Sequence, residues 1–153
     1  MNLEEVLPPG SVLLDLSLSD KSRAISHVAG LLAEAAGTSA EVIEASLLAR
    51  EALGSTGVGG GVGLPHARLH LLTRTHVVFV RLSAPINFES IDARPVDLLC
   101  GVVAPDEPNA ELLTAVGAMA RVLRDGAKTT RLRETRQAQE ARQILVGDGS
   151  VGR

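Results

Sequence analysis

The residues with chemistry to offer lie between Arg50 and Arg68. From Gly54 to Gly63, six of ten residues are glycine, and the run ends in Leu64-Pro65-His66-Ala67-Arg68. Glycine lets a backbone approach a ligand closely and adopt positive φ, and proline stiffens the approach to the histidine. An imidazole titrates near ~6.5, so much of it is neutral at pH 7 and able to act as a nucleophile. Phosphoryl transfer asks for positioning and positive charge more than for covalent help. An arginine fork binds two phosphate oxygens, which makes Arg50 and Arg68 candidates. Successive amides from Gly57 to Gly63 offer an anion-binding concavity. The expectation is that His66 carries a phosphoryl group.

Nucleotide binding fails on specific residues. A Walker A loop ends in Gly-Lys-Ser/Thr, and the two lysines, Lys21 and Lys128, are both remote from the loop in sequence. The dinucleotide fingerprint needs glycines at i, i+2 and i+5; from Gly57 the last position is Val62. No metal is expected either. His70 follows His66 by four residues, but no H-E-x-x-H pattern exists, and Pro65 with the glycines argues against a helix there. Cys100 lies in an apolar run and reads as a small buried hydrophobe. His27 and His76 read as structural or exposed.

The elements that must position His66 are legible as periodicity. Residues 11–16 (SVLLDL) read as a strand. Ser19-Asp20 starts a helix with apolar residues from Ala24 to Ala35, ended by Gly37. Thr38-Ser-Ala-Glu41 has capping-box spacing and opens a second helix, with Val42, Ile43, Leu47 and Leu48 as its apolar stripe, ending at Gly54. Residues 76–82 are rich in β-branched residues and read as a strand, 83–94 as a loop, and 95–104 as a strand buried on both faces. Asn109 is a plausible N-cap for a helix with apolar residues from Leu112 to Leu123, closed by Gly126. One or two helices follow over 127–145. This order predicts an α/β sandwich with a mixed sheet. A single domain over 1–146 and a frayed tail over 147–153 are expected.

Composition removes other classes. The 153 residues are 45% hydrophobic, yet Phe79 and Phe88 are the whole aromatic content. Stacking platforms for single-stranded nucleic acid are therefore lacking, and a net charge of −3 speaks against polyanion binding by the whole chain. No apolar run approaches the ~20 residues of a membrane span, and the first residues lack a secretory pattern. One cysteine excludes an internal disulfide. A cytoplasmic location is expected. Residues 121–142 carry seven basic and three acidic residues, either a solvated face or a contact for an acidic partner.

The run from Leu47 through Arg50-Glu51, Gly54-Ser-Thr56-Gly57-Val-Gly59 and Pro65-His66 resembles the active-site signature of the fructose/mannitol-type enzyme IIA domain (type-2 EIIA). This is a component of the bacterial phosphoenolpyruvate-dependent phosphotransferase system and includes a nitrogen-regulatory branch. The resemblance extends over roughly residues 3–146, with Pro85-Ile-Asn-Phe88 and Arg94-Pro-Val-Asp-Leu among its motifs. It implies a three-layer α/β/α sandwich with a mixed β-sheet. It implies that His66 accepts a phosphoryl group from the phosphocarrier HPr, or from a nitrogen-branch paralogue. The group then passes to an enzyme IIB domain, or serves as a signal to a regulatory target protein. Arg50 then assists at the phosphate, with no metal, nucleotide or other cofactor. Thr56, Gly57, Gly59 and Arg68 are expected to bind phosphate, and Glu51 to orient Arg50. The family commonly carries a second histidine at the start of the helix after the last strand. Leu112 stands there, so the chain is either a carrier or a regulatory module with little phosphotransfer. A lone chain with no IIB or IIC part leans toward the nitrogen-regulatory branch.

Overall fold

The computed structural model describes residues 1–106 and 110–147. The expected N-cap at Asn109 and the tail beyond Gly147 lie outside the described residues. From the N-terminus, a single turn α1 (Leu3–Val6) leads to β1 (Val12–Leu16), α2 (Lys21–Ala36) and α3 (Ala40–Ala52). Three short strands follow, β2 (Gly57–Gly59), β3 (Val62–Gly63) and β4 (His66–Arg68), then the long strands β5 (His76–Ile86) and β6 (Val96–Ala104). The chain closes with α4 (Glu111–Arg124), α5 (Gly126–Glu134) and α6 (Ala138–Val146).

The strands form one mixed sheet in the order β1-β5-β6-β3-β2, with β4 also on β6. β5 and β6 pair antiparallel, β1 runs parallel to β5, and β3 and β4 run parallel to β6. Successive strand side chains point to opposite faces, and both faces here are apolar. Val77, Phe79, Leu98, Cys100 and Val102 pack with α4, α5 and α6 on one side. Val78, Val80, Leu99 and Val103 pack with α2 and α3 on the other. The result is the three-layer α/β/α sandwich. Gly101 faces α2, where an added Cβ would collide with Val28.

Local chemistry explains where elements begin and end differently from expectation. Thr38 does not open α3. Its amide donates to Ala33 O beyond Gly37, which sits at φ +68 and closes α2. Ser39 is the N-cap, accepting from the Val42 amide. Only Ile43 and Leu47 of the expected α3 stripe are buried; Val42 and Leu48 are exposed. Strand β5 runs on to Ile86 through Pro85, which reads as a loop in the sequence. The last β1 partner is Leu16 opposite Leu82, so Pro85 lies where β5 is irregular and one-sided, and a missing N–H is tolerated. Gly126 does not close α4; the Asp125 carboxylate accepts from the Ala127 and Lys128 amides and starts α5.

Arg81 ties α5 to the sheet. It is buried on β5, pairs with Asp15, and donates to the carbonyls of Leu132 and Thr135.

Candidate functional site

The glycine run is not an open loop. β2 and β3 form a small antiparallel hairpin, with Gly57 opposite Gly63 and Gly59 opposite Val62. Gly59, Gly60 and Gly61 all have positive φ at its turn, which only glycine adopts at little cost. Asp92 accepts from the Gly60 amide, and Arg133 of α5 donates to Gly60 O while pairing with Asp97. The amides of Gly60 and Arg94 hold the Asp92 carboxyl below its usual range.

Beyond the hairpin, β3 and β4 are successive pieces of one edge strand. Gly63 lies opposite Leu99 and His66 opposite Val102, so the register on β6 is unbroken across Leu64-Pro65. The hairpin partner β2 stops short of β4, so among the described residues β6 is the one strand that pairs with His66. Strand alternation puts His66 and Arg68 on one face and buries Ala67 among the α2–α3 core residues. His66 is half-buried as a result.

The imidazole is oriented by one contact. His66 Nδ1 lies 2.7 Å from the carbonyl oxygen of Leu64. A carbonyl only accepts, so Nδ1 carries the proton and Nε2 keeps its lone pair. Burial holds the imidazole pKa below the ordinary 6.5; the Leu64 bond raises it, Arg50 lowers it, Glu51 raises it and Arg68 lowers it. Arg50 stands in the last turn of α3, donating to Gly54 O at 2.9 Å, and Arg68 is exposed beside His66. The structure therefore brings together His66, Arg50 and Arg68: an imidazole with an open Nε2 beside two cations.

The other expected site residues have different employment. Glu51 does not pair with Arg50. Its carboxylate is buried, pairs with Lys21 Nζ at 2.8 Å, and accepts from both the amide and the hydroxyl of Thr56. Thr56 thus has both its amide and its hydroxyl engaged by Glu51. The Gly57 amide donates to Ser55 Oγ, and the residue is glycine because an added Cβ would lie 2.9 Å from Ser90 Cα. Gly59, level with Leu98 on β6, lies four strand residues from the level of His66, roughly 13 Å at about 3.3 Å per residue. The Gly57 and Gly60 amides are thus engaged by Ser55 and Asp92, within and beside the hairpin.

Lys21 is the neighbour of Glu51 that sequence reasoning missed. It lies 30 residues before Glu51, and no local pattern joins them. Its remoteness from the glycine run in sequence does not hold in space. Leu112, where the resemblance expects a histidine, is buried in the same apolar cluster as Val102. Its neighbour Glu111 accepts from the Thr75 hydroxyl at 2.8 Å. Among the described residues, no three His, Cys, Asp or Glu side chains gather as a metal ion requires. Nor is any described helix long and apolar enough to cross a membrane.

Residues 5–147 match the family described as phosphoenolpyruvate-dependent sugar phosphotransferase system, EIIA 2. The chain belongs to this family. A nitrogen regulatory protein of Bradyrhizobium diazoefficiens is 37% identical to this EIIA 2 chain over 146 residues, covering 95% of each. One from Pseudomonas aeruginosa is 35% identical over 147 residues, covering 95% of this chain and 96% of the other. The crystal structure of nitrogen regulatory protein IIA-Ntr from Neisseria meningitidis superposes with a TM-score of 0.89 at 30% identity, over 94% of this chain and 98% of that one. The EIIA 2 assignment and the three-layer fold therefore agree.

Proposed function

We propose that this EIIA 2 domain is a phosphohistidine carrier of the phosphotransferase system, accepting and donating a phosphoryl group at Nε2 of His66. The observation that carries the reading is the Nδ1–H donated to Leu64 O, which leaves Nε2 as the only nitrogen with a free lone pair. Burial keeps the imidazole unprotonated, so the nucleophile is available at neutral pH.

The donor is a phosphohistidine on HPr or its nitrogen-branch paralogue. The Nε2–phosphorus bond forms as the donor's nitrogen–phosphorus bond breaks, and the leaving electron pair returns to the donor imidazole. The His66 Nδ1 proton stays on its bond to Leu64. Arg50 and Arg68 supply the positive charge that the equatorial oxygens need. The reverse attack, by an enzyme IIB group or by the donor, empties the site. No cofactor enters this sequence, and the partners are cytoplasmic proteins. Incubation with phosphorylated HPr or its paralogue is expected to add about 80 Da, one acid-labile phosphoryl group. An unlabelled wild type, or a label retained by His66→Ala, contradicts the proposal.

A second reading is favoured by Leu112, an apolar core residue where the family commonly has histidine. Here the domain is a regulatory module with little phosphotransfer, and its output is contact with a target protein such as a transporter, kinase or transcription factor. The name nitrogen regulatory protein borne by the relatives supports this branch. A target that binds equally to wild type and His66→Ala favours it over the carrier.

A further inference from the structure

Lys21 stands at the first position of α2, directly after its N-cap Asp20. A cation there works against the helix macrodipole, so helix stability does not explain it. Its ammonium is mostly buried, lies 2.8 Å from Glu51 Oε2 and 3.3 Å from Glu89 Oε1, and sits 4.8 Å from the Phe88 ring centroid. A buried carboxylate such as Glu51 needs a paired cation and hydrogen-bond donors to stay ionised. Lys21 is that cation, and Thr56 supplies the donors.

The contacts continue to the histidine. Thr56 O accepts from the Leu64 amide at 2.9 Å, and Leu64 O accepts from His66 Nδ1 at 2.7 Å. Both sides of Leu64 are thus held, its amide from Thr56 and its carbonyl by the imidazole. Thr56 is held in turn by Glu51. We propose that Lys21 is a positioning residue for phosphoryl transfer: its ion pair with Glu51 fixes Thr56 and, through Leu64, the tautomer and aim of His66. The proposal rests on His66 being the phosphoryl acceptor. It does not need Lys21 to touch the phosphoryl group.

The test compares wild type, Lys21→Met, Lys21→Arg, Thr56→Val and Glu89→Gln. Folding is checked by circular dichroism, the His66 tautomer by 15N NMR of the imidazole, and kinetics with phosphorylated HPr or its paralogue. Lys21→Met is expected to mix the two His66 tautomers and lower kcat about 10-fold with the donor KM unchanged, since small misplacements are costly. Lys21→Arg restores kcat to within about 3-fold because the charge is kept. Glu89 is exposed, and Glu89→Gln leaves both readouts unchanged. Thr56→Val, nearly the same size, removes the hydroxyl bond to Glu51 while the backbone bonds of residue 56 remain; it lowers kcat in the same direction by a smaller factor, so the test survives if Lys21→Met does not fold. An unchanged tautomer and kcat in a folded Lys21→Met or in Thr56→Val overturns the proposal. So does a raised KM at constant kcat, the mark of a docking residue. The tautomer measurement needs no donor, so it still decides the role of Lys21 if wild type accepts no phosphoryl group.

Discussion

His66 Nδ1 and the carbonyl oxygen of Leu64 are 2.7 Å apart, two residues along the same edge strand. That single bond assigns the proton to one ring nitrogen and leaves the lone pair on the other. Pro65 O accepts from the Val102 amide of β6, whereas the Leu64 amide donates to Thr56 O on the opposite side, so strand alternation leaves the Leu64 carbonyl to the ring.

The rate of phosphoryl acceptance should follow deprotonation of His66. Burial, with Arg50 and Arg68, outweighs the Leu64 bond and Glu51, so the midpoint lies below 6.5. The rate is expected to rise with pH through a midpoint below 6.5 and then level off. Stability follows the same sign. His66 and His76 are both depressed, each mainly by burial, so the unfolded chain takes up protons first as pH drops. Their contribution is fully present above about 6.5 and is lost as pH falls through the folded values. Urea titrations across pH 5–8 measure it.

Arg50→Gln removes one of the two cations whose charge reaches the His66 imidazole. Loss of one such electrostatic contact is expected to lower the transfer rate about 10²–10³-fold. It should also raise the His66 midpoint, because the Arg50 charge lowers it. NMR titration and rapid-quench kinetics on one sample separate the two effects.

Gly57→Ala tests the hairpin as a packed unit. The new Cβ meets the Ser90 backbone at 2.9 Å, which no rotamer change relieves. A destabilisation of about 1–3 kcal/mol is expected from overpacking, or about 2–4 °C in Tm per kcal/mol for a chain of this size. An unchanged Tm contradicts the packing described.

Much of the fold was legible because burial leaves a period. Val77 to Val80 and Leu98 to Val103 are apolar at every position, as a sheet covered on both faces demands. His66 and Arg68 were legible as same-face neighbours only after β4 proved to be a strand. The glycine hairpin was not legible, since a run of glycine and valine carries no alternation. Nor were its clamps, because Asp92, Asp97 and Arg133 are joined to it only by the fold. The fate of Thr56 and Glu51 turned on Lys21, whose distance in sequence conceals its contact. Thr38 and Gly126 misled for a simpler reason: each carries a plausible capping signal one or two residues from the one used.

Leu112→His places an imidazole into the apolar cluster that includes Val102. An unpartnered buried polar group costs about 1–3 kcal/mol on mutational scales, so lower stability is expected, with a larger loss at acidic pH. Denaturation at two pH values measures it.

The most direct test is the position of the phosphoryl group on His66. Wild-type protein labelled with 15N in its histidines is treated with phosphorylated HPr or its nitrogen-branch paralogue and examined by 15N–31P correlated NMR. The phosphorus is expected on Nε2 of His66, with Nδ1 still protonated. A phosphoryl group on Nδ1, on another residue, or on none contradicts the account.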